Sequence, residues 1–509
     1  MRKLEKKRDR KLKILIMASE MYPYAKIGGL ADVVASLAGA LKKTGHDVRV
    51  VIPKYGINEL LNLKMHLKVQ PMGVWMGNTE EWCSVSEIKT DQNVPVYCID
   101  HQLYFNRDGL YHDSSMHDYN DNPMRFGFFS RASLQLCKDI GFKPDVIHVN
   151  DWQTALAPAY LKIWHWNDSI LGNAASLLTL HNVAYQGIYP KDNFEYLGLG
   201  WHNFTEEKME SFDKINFLKA GIFYSDVITA VSPSFAKEIT TPAGGFGLAP
   251  YLAKRSPDLV GIINGIDYSI WNPETDTLIP ANYSSTNLRG KSSCKRHLQK
   301  TFDLTVDNSI PIIGAIGRFV EQKGFHLIAQ CIEKAIQNLR VQFVILGTGE
   351  NYLENFFGSL PCNFKGNAGS YIGFDNKRAH LIEAGCDFFL MPSLFEPCGL
   401  NQMYSQHYGT LPIVRATGGL DDTVINYTEK GIDSTGFKFW DSSADALYST
   451  IELAVNIYYN KPSQIRKMIR SAMAQDFSWE KSSKLYENAY KHAIINKQYS
   501  AQEYRPYYW

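Results

Sequence analysis

"YAKIGGLADVV", residues 24–34, decides how the first half of the chain is read. It follows a short apolar run, Ile14 to Ala18, with the composition of a strand. It precedes Ala31–Leu41, whose apolar residues recur at helical spacing. A lysine and two glycines therefore stand where a strand turns into a helix. Glycines allow close backbone approach and free choice of φ. A helix start points N–H groups and partial positive charge at whatever lies before it. Lys26 adds a full charge. The pattern is neither a Walker A loop nor G-x-G-x-x-G. Two readings stand at this point: an anion-binding turn built from Lys26, Gly28 and Gly29, or a plain connection carrying an exposed lysine.

The same strand–turn–helix rhythm continues outward. "DVRVVIP" (47–53), "DVIHVND" (145–151), "SLLTLHN" (176–182) and "DVITAVS" (226–232) are aliphatic runs that end in polar residues. Such runs suit parallel strands buried on both faces, with function at their C-terminal ends. A second series follows: "PIIGAIGR" (311–318), "VQFVILGTGE" (341–350), "CDFFLMPS" (386–393) and "LPIVRATGG" (411–419), alternating with helical patterns at 324–338 and 377–384. Between the series lies "GIINGIDYSIWNPETD" (261–276), rich in Gly, Asn and Pro, which reads as a linker. The expected fold is α/β, with two doubly wound Rossmann-like domains facing a cleft. A basic extension (1–13) precedes the first domain (14–260). The second domain follows (261–484), then a tail (485–509) expected to return to the first.

At 509 residues the chain is too long for one core. Hydrophobic content of 45% and charged content of 21% are ordinary for globular proteins. Residues 1–13 carry eight Lys/Arg and two Asp/Glu, so the remainder is net acidic. That argues against a nucleic-acid face and reads the extension as solvated. No apolar run is long enough to span a membrane. Ile14–Ala18 is too short for a signal-peptide core. The eight cysteines form no C-x-x-C pair and read as reduced thiols, so a cytoplasmic location is expected.

Several side chains at the strand ends can carry chemistry. "GRFVEQKG" (317–324) sets Arg318 and Lys323 at one strand end, which suits a diphosphate whose charge grows as it departs, although such a pair standing alone reads as solvated surface. In "SLFEPCGLNQMYSQHYGT" (393–410), Glu396 can accept hydrogen bonds from sugar hydroxyls or cap the following helix. "TGGLDDTV" (417–424) offers further N–H donors. "HVNDWQTAL" (148–156) brings Asp151, and "LHNVAYQG" (180–187) brings His181 and Asn182. No G-x-S-x-G elbow, papain-like cysteine context or H-E-x-x-H accompanies them, which argues against a nucleophilic hydrolase and a zinc protease.

Taken in order, "KIGGLADVV", "YHD…YNDNPMRF", "VNDWQTALAPAYL", "LHNVAYQG", "INGIDYSIWNPETD", "GRFVEQKG", "EPCGLNQMYSQHYGTLPIVRATGGLDDTV" and "MAQDFSWEKSSKLY" resemble the bacterial glycogen synthases and plant starch synthases. These are retaining glycosyltransferases of the GT-B fold, and the resemblance spans residues 13 to 490. It implies transfer of glucose from ADP-glucose to the 4-OH of an α-1,4-glucan, with no metal or other cofactor. It implies a nucleotide-glucose donor and a glucan acceptor as partners, without nucleic acid or membrane. By matching motif, Lys26, Gly28, Gly29 and Asp32 would meet the donor from the first domain. Arg318 and Lys323 would grip the diphosphate. Glu396, with the backbone of Cys398, Gly399 and Leu400 and the Gly418–Gly419 turn, would hold the glucose. His181 would lie beside the transferred sugar. Tyr111, Asp151, Asn182 and Asn264 would line the cleft. Phe374 would stand where the family often has a tyrosine near the nucleobase. Ile27 replaces the family's usual threonine, and Asn401 stands where Thr or Ile is common. The alternatives are a UDP-glucose-using or small-acceptor GT-B glucosyltransferase, and a glucan-binding scaffold without activity.

Overall fold

The computed structural model describes residues 10–115, 117–428 and 433–503. Residues 1–9 of the basic extension and 504–509 of the tail lie outside the described residues. The chain divides into two compact units. One holds residues 1–231, 236–265 and 479–509, and the other holds 232–235 and 266–478.

The first unit is built on a nine-stranded sheet. Its order is Leu259–Gly261, Val227–Ala230, Ala175–Leu180, Val146–Asn150, Lys13–Met17, Asp47–Pro53, Pro95–Asp100, Thr79–Lys89 and His66–Met76. The first seven run parallel. Val146–Asn150 and Ala175–Leu180 are buried at every residue, as strands covered on both faces must be. The last two strands add an antiparallel edge that the aliphatic-run reading misses. Their sequence alternates polar and apolar residues, and Pro71 sits at a register shift, where a missing N–H is tolerated. The helix Trp479–Glu503 packs on this sheet, and Tyr490 Oη lies 2.9 Å from His148 Nδ1.

The second unit has a six-stranded, all-parallel sheet. Its order is Ala368–Ile372, Gln342–Gly349, Ile312–Phe319, Phe388–Met391, Leu411–Arg415 and Phe437–Phe439. Alternate residues of its strands enter different cores. Ile313, Phe343, Ile345, Phe388 and Ile413 pack on one face. Ile312, Val344, Leu346, Phe389 and Val414 pack on the other. That is period-two side-chain alternation with helices on both sides.

Much of the expected linker is not free chain. Trp271 stacks between His380 (3.8 Å) and Tyr404 (4.1 Å). Asp276 accepts from Tyr408 Oη at 2.7 Å and lies 2.8 Å from His380 Nδ1. Gly, Asn and Pro shape the turns there, while the interspersed aromatic and acidic residues anchor residues 266–276 in the second unit. Among the described residues, no helix is long and apolar enough to cross a membrane.

Candidate active site

Open α/β sheets bind ligands outside the strand C-termini, where the winding direction reverses. In the second unit that point lies between Ile312–Phe319 and Phe388–Met391. Arg318 is the penultimate residue of the first of these strands. Lys323 lies in the following turn, Glu321–Lys323. Gly324 (φ 71°) then turns the chain into the helix Phe325–Asn338, and a Cβ there would fall 2.1 Å from the Pro392 carbonyl. Only glycine permits that approach. The two strand ends are stitched together by Leu394 N–H donating to Gln322 O at 2.8 Å.

This stitching brings Lys323 and Glu396 together. Lys323 Nζ donates to Glu396 Oε2 at 2.6 Å, and Ser393 Oγ donates to the same oxygen at 3.0 Å. Glu396 is buried and Lys323 is partly exposed. Both bonds fall on Oε2. Among the described residues, Oε1 has no protein partner. Nor does the exposed Arg318 guanidinium. The helix Asn401–His407 has Leu400 as its N-cap, with no side-chain cap bond, so Glu396 is not a helix cap. Gly418 and Gly419 let the 396–399 loop lie against the next helix start: a Cβ on either would come within 2.1 Å of the Glu396 or Cys398 carbonyl. The Gly419 N–H, expected as a donor to ligand, donates instead to the Glu396 and Pro397 carbonyls at 3.1 and 3.2 Å. Cys398 is buried and Gly399 is left-handed (φ 72°). Leu400 is half-buried. Asn401 Nδ2 donates to Ile316 O at 3.3 Å, which ties this departure to strand anchoring. Phe374 stands apart, 86% exposed.

In the first unit the reversal lies between Lys13–Met17 and Val146–Asn150. The Lys26–Gly29 turn there is largely satisfied by the protein itself. Lys26 Nζ pairs with Asp32 at 2.7 Å. The Ile27 and Gly28 N–H groups donate to Glu20 Oε2 at 2.6 and 3.0 Å. Tyr111 Oη donates to Glu20 Oε1 at 2.7 Å and lies 2.7 Å from Ser19 Oγ. The N–H nest expected to face a ligand thus holds a buried carboxylate at its first two positions. Glu20 was missed by sequence reasoning. Its signal was a carboxylate three residues past the first strand and eight residues before Gly28. Gly28 is extended (φ −135°), and a Cβ there would meet nothing within 4 Å, so protein packing does not demand glycine. The Ile27 side chain is half exposed.

Beside it, Asp151 adopts φ 53° and aims its carboxylate at the next strand end. It accepts the His181 N–H at 2.7 Å and, at 3.5 Å, the Asn182 N–H. Burial, with a smaller contribution from the Glu20 charge, pushes its carboxyl up to about 7. His181 Nε2 lies 2.9 Å from Asn150 Oδ1, whose amide Nδ2 donates to Met17 O. That network puts the proton on Nε2 and leaves Nδ1 as an acceptor. Burial lowers the imidazole to about 3, so His181 is neutral near pH 7. Asn264 is buried, and its Oδ1 has no hydrogen-bond partner among the described residues.

Each unit therefore presents polar groups at the C-terminal ends of a doubly wound parallel sheet, the arrangement of a nucleotide-sugar glycosyltransferase. Residues 13–254 match the family model for the starch synthase catalytic domain, and residues 299–492 match that for glycosyl transferases group 1. The chain is 46% identical to glycogen synthase 1 of Geobacter sulfurreducens, over 95% of this chain and 97% of that one. It is 43% identical to glycogen synthase of Treponema denticola, over 96% and 99%. Among solved structures it is similar to the catalytic domain of starch synthase IV from Arabidopsis thaliana bound to ADP and acarbose. That match has a TM-score of 0.86 at 32% identity, covering 96% of this chain and all of that one. A sucrose-phosphate synthase from Thermosynechococcus elongatus, with TM-score 0.58 at 17% identity, shares the fold. The chain belongs to the glycogen and starch synthase family of GT-B glycosyltransferases.

Proposed function

We propose that the chain transfers glucose from ADP-glucose to the non-reducing 4-OH of an α-1,4-glucan, with retention at the anomeric carbon. The observation that carries this reading is the Lys323–Glu396 pair beside an unpartnered Arg318, at the winding reversal of the second sheet. The bond between the glucose C1 and the β-phosphate oxygen breaks as negative charge grows on the diphosphate. Arg318 and Lys323 stabilise that charge, an interaction stronger in the transition state than in the ground state. Glu396 Oε1 and the backbone of Cys398, Gly399 and Leu400 accept and donate to glucose hydroxyls. Gly418 acts by shaping this loop, as does Gly419. The acceptor 4-OH attacks from the face the diphosphate leaves, and its proton passes to the departing phosphate oxygen.

In the first unit, the Lys26–Asp32 pair, the open space over Gly28 and the exposed Gly29 meet the donor. Neutral His181 accepts a hydrogen bond from a sugar hydroxyl on Nδ1. Asp151 holds the His181–Asn182 backbone, and Asn264 directs its free Oδ1 to ligand. Tyr111 supports the turn through Glu20. Phe374 offers its exposed ring to the nucleobase. No resident cofactor is needed, because the leaving charge is met by side chains. The ADP bound to the plant starch synthase supports the adenine donor. Initial rates with ADP-glucose and UDP-glucose, each with glycogen and with a small sugar acceptor, test it. Transfer should be fastest with ADP-glucose onto glycogen. A preference for UDP-glucose or for the small acceptor would overturn the corresponding part.

A further inference from the structure

Arg131 lies in the middle of the helix Asn122–Asp139 of the first unit. It is only 7% exposed. Among the described residues it has no carboxylate partner and no hydrogen bond, and its Nη1 is buried without a partner. Its guanidinium stacks 4.3 Å from the Trp164 ring and 5.4 Å from Tyr160. Burial works against its charge. A buried cation is expensive unless it is paired.

Other cations in this unit are treated differently. Buried Arg125 also leaves one nitrogen, Nη2, without a partner, but it donates to Tyr104 O and Asn122 Oδ1, each at 2.6 Å. Around the broad groove of about 2070 Å³ lined by the end of the C-terminal helix, Lys162 pairs with Asp226 and Lys254 with Glu207, while Arg255 donates to main-chain carbonyls. Arg131 instead lines a separate pocket of about 240 Å³, together with Trp75, Lys138, Trp164, Asn167 and the Asp168 carboxylate. Trp75 is 55% exposed and Trp164 is 44% exposed. The rim cation Lys138 is held by Asp168 at 3.1 Å. A planar guanidinium fork matches phosphate oxygens, and the indoles give apolar faces with polar edges. The pocket is roomier than a bare oxyanion requires.

We propose that this pocket is a second ligand site, for a sugar monophosphate, with the phosphate on the Arg131 guanidinium and the sugar body against the Trp75 and Trp164 indoles. A ligand that binds the folded state raises its stability in proportion to the logarithm of its concentration over Kd. The test is calorimetric titration and thermal melting of the full chain with fructose 6-phosphate, glucose 6-phosphate, glucose and inorganic phosphate. A hexose phosphate should give saturable, millimolar or tighter binding, inorganic phosphate severalfold weaker binding, and glucose none. Arg131→Met should abolish the response, and Trp75→Ala should weaken it several-fold. Lys323→Ala should keep it, which separates this site from the diphosphate site. If Arg131→Met does not fold, Asn167→Asp, which places a like charge in the pocket of an exposed residue, should weaken binding instead. No response in the wild type overturns the proposal. So does a response lost in Lys323→Ala but kept in Arg131→Met, or one unchanged in both Trp75→Ala and Asn167→Asp.

Discussion

Two turns of this molecule look alike in sequence and differ in chemistry. Both follow a central strand, both carry a lysine and glycine, and both open a helix. In the first unit the protein supplies its own anions: Asp32 takes Lys26, and Glu20 takes the Ile27 and Gly28 N–H groups. In the second unit Lys323 shares Glu396, but Arg318 is left exposed without a partner among the described residues. A cation already neutralised by its own chain gains little from a ligand phosphate, whereas an unpartnered one gains the full interaction. The second turn should therefore govern the fate of the diphosphate, and the first should govern shape.

The largest effects should come from Arg318. Losing one preorganised donor to developing charge costs about 2.7–4 kcal/mol, or about a hundred- to a thousandfold in turnover. Arg318→Ala should lose that much on nucleotide-glucose while melting like the wild type, because the exposed side chain has no hydrogen bond or ion pair to lose among the described residues. Lys323→Ala should lose less turnover than Arg318→Ala, because Glu396 already shares the lysine's charge, and should also melt lower, since buried Glu396 keeps only its Ser393 bond. Adding Glu396→Gln to Lys323→Ala should recover much of the melting temperature and none of the turnover. Recovery of both would mean the pair is purely structural.

Glu20→Gln comes next. Hydrogen bonds to a charged group contribute about 1.5–3 kcal/mol, so this variant should melt lower and lose turnover only a few-fold. A hundredfold loss would erase the contrast between the turns.

These residues also mark what the sequence made legible. The aliphatic runs located the central parallel strands because strands buried on both faces leave an unbroken signature. The half-exposed hairpin strands Thr79–Lys89 and His66–Met76 left none, and neither did sheet order. Arg318, Lys323 and Glu396 were recognisable because their positions follow strand ends. Their pairing was not, because it depends on the Gly324–Pro392 approach between segments distant in sequence. Glu20 was overlooked because a single carboxylate after a strand has no motif, and its meaning comes from which N–H groups fold back on it. The unit boundary at Gly265–Ile266 falls inside the stretch read as a linker, but composition registers turns and not that Trp271 and Asp276 have partners in the second unit.

A smaller effect concerns pH. The Asp151 carboxyl sits at about 7 in the folded chain, against about 3.9 for a free Asp. Between these values the folded state holds a proton the unfolded state has released. Stability should therefore fall as pH rises through that window and level off above it. Asp151→Asn keeps an acceptor for the His181 N–H and tolerates the left-handed backbone. It should flatten that part of the stability–pH curve, measured by melts from acid to neutral pH. A curve unchanged from the wild type would show that Asp151 is ionised throughout.

The smallest effect should be Ile27→Thr. The side chain is half exposed and its N–H stays on Glu20, so turnover and melting should shift by no more than about 1 kcal/mol.

The contrast between the turns is tested most directly by calorimetric binding of ADP to the wild type, Arg318→Ala and Glu20→Gln side by side. Loss of charged hydrogen bonds should weaken ADP by about 10- to 100-fold in Arg318→Ala, with Glu20→Gln within a few-fold of the wild type. Wild-type affinity in Arg318→Ala together with a large loss in Glu20→Gln would contradict it, and would move the diphosphate to the first turn.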